Sequence, residues 1–593
     1  RKMGDFADIF SNTRALVLVM LFFGGSIFVH ELGHFLAARL RGLKILRFSI
    51  GFGPRIFSWR GGDGCEYIVS LLPLGGYVAL PQLADMGALE GGNGNDKTEN
   101  LPKASCADKI IVSAAGAFFN ILFAALLAAV IWGVGITKNA AAESTVVGFV
   151  PEKIRDVAGN EFPCPAKLAG VRAGDKIVSV DGRTPNDFQQ IIELIAIGSG
   201  RTADGKPLAK LEVERDGKIL TLDVHAQLIK TNPTTGDEIR MIGISPAMRM
   251  FVGKIMDNSP AKAAGLREGD EVAEIDGKKL HSNAQLGAYL DSLKDGTQVK
   301  LGIVRDGKKI EIAITPKRVA LTKELLKIEA PNGDGAVSFI LSNRRNPNAK
   351  TGLPRVFSVK RGAEAFDKIG VGNALCYADG KPADSLEELD KIANESSARL
   401  ALTLADAAGQ IYDVVLPAGV KSAIEPPKTR AMLGYMLRPE FTTVHPSIFE
   451  QFSDSIVRTY NALSSLVNPK SDVGIKSLAG PVDIGRVIYK LSMTDFILVL
   501  SFAVLLNVNL AILNILPIPV LDGGHILFAV VEKLRGKPLP PAVFATVQGI
   551  FSLLLLSLMA FVVYYGFLRW SGDTDMENSG EAVSEYYIKD IKF

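Results

Sequence analysis

Phe28-Val29-His30-Glu31-Leu32-Gly33-His34-Phe35 sits inside an apolar run, residues 15–38, that is long enough to cross a bilayer as a helix. Four residues apart on a helix, His30 and His34 share one face and can grip a single metal ion. Glu31 stands beside them, where a carboxylate can take a proton from a water that the metal activates. Ionisable groups are expensive in hydrocarbon, so three together in a spanning segment mark a functional site. The chain has only six histidines, which makes a chance pairing of two around a glutamate rare. Metal binding is the first expectation.

The 593 residues call for several domains, and the 48% hydrophobic share points to membrane segments. A formal net charge of +3 argues against a nucleic-acid partner. Cys65, Cys106, Cys164 and Cys376 are scattered, forming neither a metal pair nor a disulfide framework, so they leave the redox compartment unread. The chain opens Arg1-Lys2-Met3, so the native start is expected at Met3 or upstream. The first apolar run has no small-residue cleavage site after it and reads as a retained span, not a removable leader.

Four stretches can span: residues 15–38, 110–134, 496–516 and 543–568. Arg39, Arg41, Lys44, Arg47, Arg55 and Arg60, then Lys97, Lys103 and Lys109, fall between the first two. Lys533, Arg535 and Lys537 fall between the last two. The positive-inside rule places both loops in the cytoplasm, and the termini and long middle region on the far side. The first loop carries Phe48-Ser49-Ile50-Gly51-Phe52-Gly53-Pro54 and Leu71-Leu72-Pro73-Leu74-Gly75-Gly76-Tyr77-Val78, an apolar alternation broken by Gly and Pro that reads as short strands. They either pair with an extended substrate through the region 48–54 or form a structural hairpin at the interface. Residues 87–97, rich in Gly, Asn and Asp, read as a flexible cytoplasmic loop.

The middle region repeats itself. Gly174-Asp175 and Gly269-Asp270 each precede an apolar strand ending in Asp-Gly, at Asp181-Gly182 and Asp276-Gly277. A decayed copy runs from Gly372-Asn373 to Asp379-Gly380, and turns at Arg215-Asp216-Gly217 and Arg305-Asp306-Gly307 close the first two copies. The pattern looks like three PDZ-type modules, small β-sandwiches that take extended peptides or chain ends, or else spacers without a ligand. Pro426-Pro427 reads as the exit. An amphipathic stretch with Ile448, Phe452, Ile456 and Leu463 follows, expected to lie at the membrane surface, and the polar end of the chain reads as disordered or weakly docked.

The fold expected is therefore a multi-domain membrane protein: a polytopic α-helical core of four transmembrane helices, a small membrane-associated β region, and tandem PDZ-like β-sandwich modules. Residues 1–143 hold the first two spans and the hairpin loop. The modules occupy 144–249, 250–320 and 321–427. A linker with the amphipathic helix covers 428–492, the last two spans 493–570 and a polar tail 571–593.

A catalytic zinc site takes three protein ligands and leaves one position for water. The third span breaks at Asn514-Ile515-Leu516-Pro517-Ile518-Pro519-Val520-Leu521-Asp522-Gly523-Gly524-His525. Irregular backbone at membrane depth is tolerated only where it is buried in protein or lines a wet cavity. Asp522 is the candidate third ligand and His525 its rival. His30-Glu31-x-x-His34, Gly51-Phe52-Gly53-Pro54, the three modules and Asn514-x-x-Pro517-x-Pro519-x-Leu521-Asp522-Gly523 together resemble the site-2 protease family of intramembrane zinc proteases (M50-type), in its bacterial regulator-of-sigma-E branch. The resemblance implies Zn2+ held by His30, His34 and Asp522, with Glu31 as general base. Asn514 would help hold the substrate, and Pro517, Pro519, Gly51 and Gly53 would shape its path. It implies a bacterial inner (cytoplasmic) membrane enzyme, its active site near the cytoplasmic side and its modules periplasmic. Substrates would be single-pass membrane proteins, a trimmed anti-sigma factor and/or remnant signal peptides, with the modules as a size filter that would also bind periplasmic chain ends. Asn120 matches a second-span motif that more often reads Gly-Pro where this chain has Gly116-Ala117. The competing reading is an inactive zinc-binding scaffold that gathers chain ends.

Overall fold

The computed structural model describes residues 17–83, 104–157, 160–232, 234–342, 352–360, 362–396, 399–406, 409–588, 591 and 593. The flexible loop expected at 87–97 lies outside them. Four helices are long and apolar enough to span: Val17–Leu40, Cys106–Val134, Phe496–Ile515 and Ala542–Asp573. The chain forms two compact units. One comprises residues up to 138, 442–469 and 473–567; the other comprises 139–441, 470–472 and 568–593.

In the first unit, small residues bring helices together. Ala124, Ala128 and Ile131 of the second span pack on Ala503, Val504 and Val508 of the third. A polar link crosses this packing: Asn507 Nδ2 donates to Ser26 Oγ at 2.9 Å and to Ala503 O at 2.8 Å, and Ser26 Oγ donates to Phe22 O. The second span starts at a capping box, with Asp108 N–H donating to Ser105 Oγ and Ser105 N–H to Asp108 Oδ2. The amphipathic stretch is a helix, Ile448–Val467, whose Ile448 and Phe452 turn toward the span cluster. A helix at Pro481–Thr494 was not foreseen within the expected linker; its Ile484, Ile488 and Leu491 pack on the same cluster.

The loop after the first span forms two long bent strands, Arg47–Arg60 and Glu66–Ala79. Their bending lays Phe48–Ile50 between two neighbours, since Phe48 pairs with both Tyr67 and Val78, and Ile50 with both Val69 and Gly76. The expected offer of strand pairing from 48–54 therefore fails at 48–50, where both edges are already taken. Among the described residues, the outer runs of this sheet are 55–60 and 76–79.

The second unit holds three β bodies. The first has strands Lys176–Val180, Ala209–Arg215 and Lys218–Val224, helix Phe188–Ala196 and a core around Val147, Ile177, Ile191 and Leu211. The second is ordered Lys308–Ile314, Val299–Arg305, Glu271–Ile275, Phe251–Ile255 and Tyr435–Arg438. Its last strand lies beyond the third body in sequence, so residues 428–441 are not linker. Thr429–Met432 pairs with Lys317–Ala320, and Tyr435–Arg438 pairs with Phe251–Ile255. The second body thus closes around an insertion. The first body has the same hairpin uninterrupted, Gln227–Lys230 with Glu238–Met241. The third body, whose sheet runs from Leu325–Glu329 to Lys421–Glu425, grows from the tip of that hairpin in the second.

The repeated residues now have physical roles. In every copy the Asp of Asp-Gly takes a left-handed backbone, with φ of 50°, 46° and 47° at Asp181, Asp276 and Asp379. Its carboxylate accepts a neighbouring strand's N–H, from Lys210, Lys300 and Ala401 respectively. The Gly-Asp of the first two copies is paired with the later Arg. Arg305 grips Asp270 through two bonds of 2.7 Å, and Arg215 grips Asp175 at 2.6 and 2.7 Å. In the third copy Asn373 bonds instead to the Tyr412 hydroxyl, a neutral replacement for the ion pair.

Removing Arg305 leaves a carboxylate that is 1% exposed without its cation. Arg305→Ala should therefore destabilise the second body, read as a lowered midpoint in thermal unfolding of the detergent-solubilised protein. The triple variant Asp270→Asn/Arg305→Ala/Lys309→Tyr, copying Asn373, Ala405 and Tyr412 of the third body, should recover most of that loss. Burial raises the Asp270 carboxyl, but the Arg305 guanidinium and Arg267 N–H outweigh it and hold its pKa below the ordinary value. This contribution to stability is present above about pH 4 and is lost as pH falls further.

Candidate metal centre

His30, Glu31 and His34 come from the helical part of the first span, Gly25–Leu40. Asp522 arrives from the other end of the chain. The third span stops at Ile515, Pro517 and Pro519 prevent its continuation, and a new helix, Asp522–Arg535, starts at the carboxylate. Gly523 allows this return, because a Cβ there would collide with the carbonyls of Ile515 and Leu516.

The geometry is tight. His30 Nε2 and His34 Nε2 are 3.2 Å apart, and the Asp522 carboxylate lies 3.2 Å from the first and 3.5 Å from the second. A tetrahedral zinc with bonds of about 2.0–2.1 Å separates its ligand atoms by about 3.3–3.4 Å, so the three donors fit that ion. Among the described residues they are also the one group of three potential ligands gathered this closely. Beside them Glu31 is 8% exposed, and its Oε2 has no hydrogen-bond partner. A buried carboxylate oxygen left open next to a three-ligand site suits proton transfer better than structure.

The surroundings aim the ligands. His34 Nδ1 lies 2.8 Å from the Val112 carbonyl, which can only accept, so Nδ1 carries the proton and Nε2 keeps its lone pair. His30 Nδ1 lies 3.3 Å from the Asn120 side-chain amide, whose Oδ1 is buried without a partner. Turned over, that amide accepts the His30 Nδ1 proton, satisfies its own oxygen and frees Nε2 for the metal. Gly116 makes room for both rings, since a Cβ there would lie 2.5 Å from His34 Nε2 and 2.8 Å from His30 Nε2. The sequence places Gly116 and Asn120 in one second-span motif without giving either a role, and the Val112 carbonyl, a backbone group, leaves no mark in the sequence.

Asn514 reaches the site, its Nδ2 3.4 Å from His30 Nε2. His525 packs its ring toward Phe544 instead and is not in the three-ligand group. Gly51 and Gly53 lie at the bend of the first long strand, with φ of 85° and 90°. The sheet residue that meets the carboxylate is Gly76, where a Cβ would fall 2.8 Å from Glu31 Cγ.

Two substitutions test the cradle. Gly116→Ala should abolish zinc retention while leaving the helical content unchanged, read as metal stoichiometry after dialysis and by circular dichroism. Asn120→Ala should weaken zinc affinity about 10–100-fold in chelator competition. In the same assay Asp522→Asn should shed zinc, and His525→Ala should keep it.

Residues 18–558 match the model of peptidase family M50. The regulator of sigma-E protease of Escherichia coli is 25% identical over 92% of this chain and 96% of its own. That of Salmonella typhi is 26% identical over 95% and 99%. A Pasteurella multocida protein provisionally named a zinc metalloprotease is 26% identical over 91% and 96%. The matched span includes the helix of His30, Glu31 and His34 and the broken segment of Asp522, so the chain belongs to peptidase family M50 and is a zinc metalloprotease of the site-2 type.

Proposed function

We propose that this protein cuts the transmembrane segments of single-pass membrane proteins. One observation carries the reading: His30, Glu31 and His34 lie on a helix long and apolar enough to span, and Asp522 joins them from just beyond the broken end of another, so their substrate is sought in the same medium. Zinc held by His30, His34 and Asp522 supplies Lewis-acid activation of water and of the scissile carbonyl. Glu31 takes the proton from the attacking water and returns it to the leaving amine. Asn514, whose amide lies beside His30, donates to the substrate carbonyl oxygen.

A helix cannot be cut while its carbonyls are bonded along its axis, so the substrate unwinds. Its freed backbone groups then need partners. The run 76–79 is suited to supply them: it is an outer run of the sheet, and its Gly76 touches Glu31. Strand addition there lays the scissile bond against the base. This moves the pairing role from residues 48–54 to 76–79.

The β bodies are PDZ-type modules that face the periplasm of a bacterial inner membrane and act as a size filter. An untrimmed ectodomain is held off, while a trimmed anti-sigma factor or remnant signal peptide passes. The scaffold alternative is disfavoured by the open Oε2 of Glu31, because a purely structural site needs no base.

Glu31→Gln should keep zinc and lose cleavage of a single-pass substrate about 10²-fold or more, followed by gel assay in liposomes. Unchanged cleavage would remove the mechanism. Because the second body closes only at Arg438, a clean test of the filter deletes residues 145–439 whole. The shortened enzyme should cut untrimmed substrates, and continued resistance would refute the filter.

A further inference from the structure

The segment after the fourth span was expected to be disordered or weakly docked. Instead the last helix runs Pro541–Tyr586, and Arg569, Tyr586–Ile588 and Phe593 between them touch all three β bodies. Within the helix, Arg569 Nε lies 3.1 Å from Asp237 Oδ2, and the Arg569 carbonyl accepts from Asn232, both in the hairpin loop of the first body. Where the helix ends, the chain makes one antiparallel bridge. Lys323 N–H donates to Tyr586 O at 2.9 Å and Ile588 N–H to Leu321 O at 2.8 Å, giving an antiparallel bridge between Thr322 and Tyr587. Tyr586 is 4% exposed, packed among Leu325, Ile340 and Phe357, with its ring centroid 4.5 Å from that of Phe357. Finally Phe593 rests on the second body, where a Cβ on Gly434 would come 3.1 Å from its Cζ.

Residues 321–323 form one side of the neck that joins the third body to the second, between Lys317–Ala320 and Leu325–Glu329. The neck's other side is already bonded, since Leu321 N–H donates to Lys428 O and Lys428 N–H to Thr322 Oγ1. A third strand laid on this neck supplies main-chain bonds for register and one buried aromatic for affinity, the two components of peptide recognition by strand addition. We infer that Tyr586–Ile588 and Phe593 are an intramolecular ligand of this neck: the edge at 321–323, the Leu325–Ile340–Phe357 pocket and Gly434 form a docking site for a peptide with two aromatic anchors, and these residues fill it. The site is distinct from the metal centre and does not rest on the proposed substrate.

A covalently attached ligand faces its site at high effective concentration, so it excludes a free copy of itself. The full-length protein in detergent is compared with a chain ending at Glu585 and with Tyr586→Ala and Tyr586→Phe. Hydrogen exchange reads the Lys323 amide, and fluorescence anisotropy reads a labelled peptide spanning residues 584–593. Loss of the tail and Tyr586→Ala should each speed Lys323 exchange at least ten-fold while Val337 and Phe339 stay protected, and Tyr586→Phe should behave as the unaltered chain. The peptide should bind the shortened chain at least ten-fold tighter than the intact one, and a Phe593→Ala peptide should bind it more weakly. Unchanged Lys323 exchange in both the shortened chain and Tyr586→Ala overturns the inference, as does equal affinity, or no binding, for intact and shortened chains.

Discussion

An ionisable group inside an apolar bundle must find a partner or lose its charge, and this constraint organises the membrane unit. His34 is 3% exposed, with one nitrogen on the Val112 carbonyl and the other facing Asp522. His30 is placed between Asn120, Asn514 and the same carboxylate. Asp522 can reach both rings only because the third span ends early and the next helix begins at it. The prolines and Gly523, which would weaken an ordinary span, are therefore conditions of the site. Gly116 belongs with them, as the place where the second span gives up a side chain so that two rings can turn inward. Glu31 is the carboxylate outside the three-ligand group, and its open oxygen beside that group suits it to move a proton.

What was legible in the sequence was local. The four-residue spacing of His30 and His34 is a property of one helix, and the four spans are visible in runs of side chains. Asp522 and His525 were separable only by three-dimensional placement, since both lie within one turn of the same break. Pairing was less legible still. The alternation in 47–79 says that strands form, but not that 48–50 lies inside the sheet with its edges filled. The helix Pro481–Thr494 could have been read from Ile484, Ile488 and Leu491; its short polar-flanked pattern was absorbed into a linker instead.

The three copies were read as consecutive because sequence order suggests beads on a string. The second body's closing strand lies far from its opening strands, with the whole third body between them. A signal was nonetheless present. Ile242-Gly243-Ile244 follows the hairpin of the first body, and Leu433-Gly434-Tyr435 follows the matching hairpin of the second, with φ of 80° and 84° at the two glycines. The decay of the third copy also has a physical reading. Exchanging an Asp–Arg pair for Asn373 and Tyr412 keeps the hydrogen bond at the same point and removes the need to bury a charge.

Insertion changes what the third body can do. A domain on a single linker samples many orientations, because one flexible connection restricts only distance. Here two strands leave the second body side by side, bonded from Lys317 with Met432 to Ala320 with Thr429, and re-enter the third body still adjacent at Leu325 and Glu425. A paired neck resists twisting, since rotation would break ladder bonds on both strands together. Tyr586–Ile588 adds a further strand to the same neck and buries an aromatic at its base. The decayed copy, stripped of the charged latch its neighbours keep, is therefore held by a paired neck and not by a single linker. That is the arrangement expected of a body whose orientation matters more than its freedom to find a ligand.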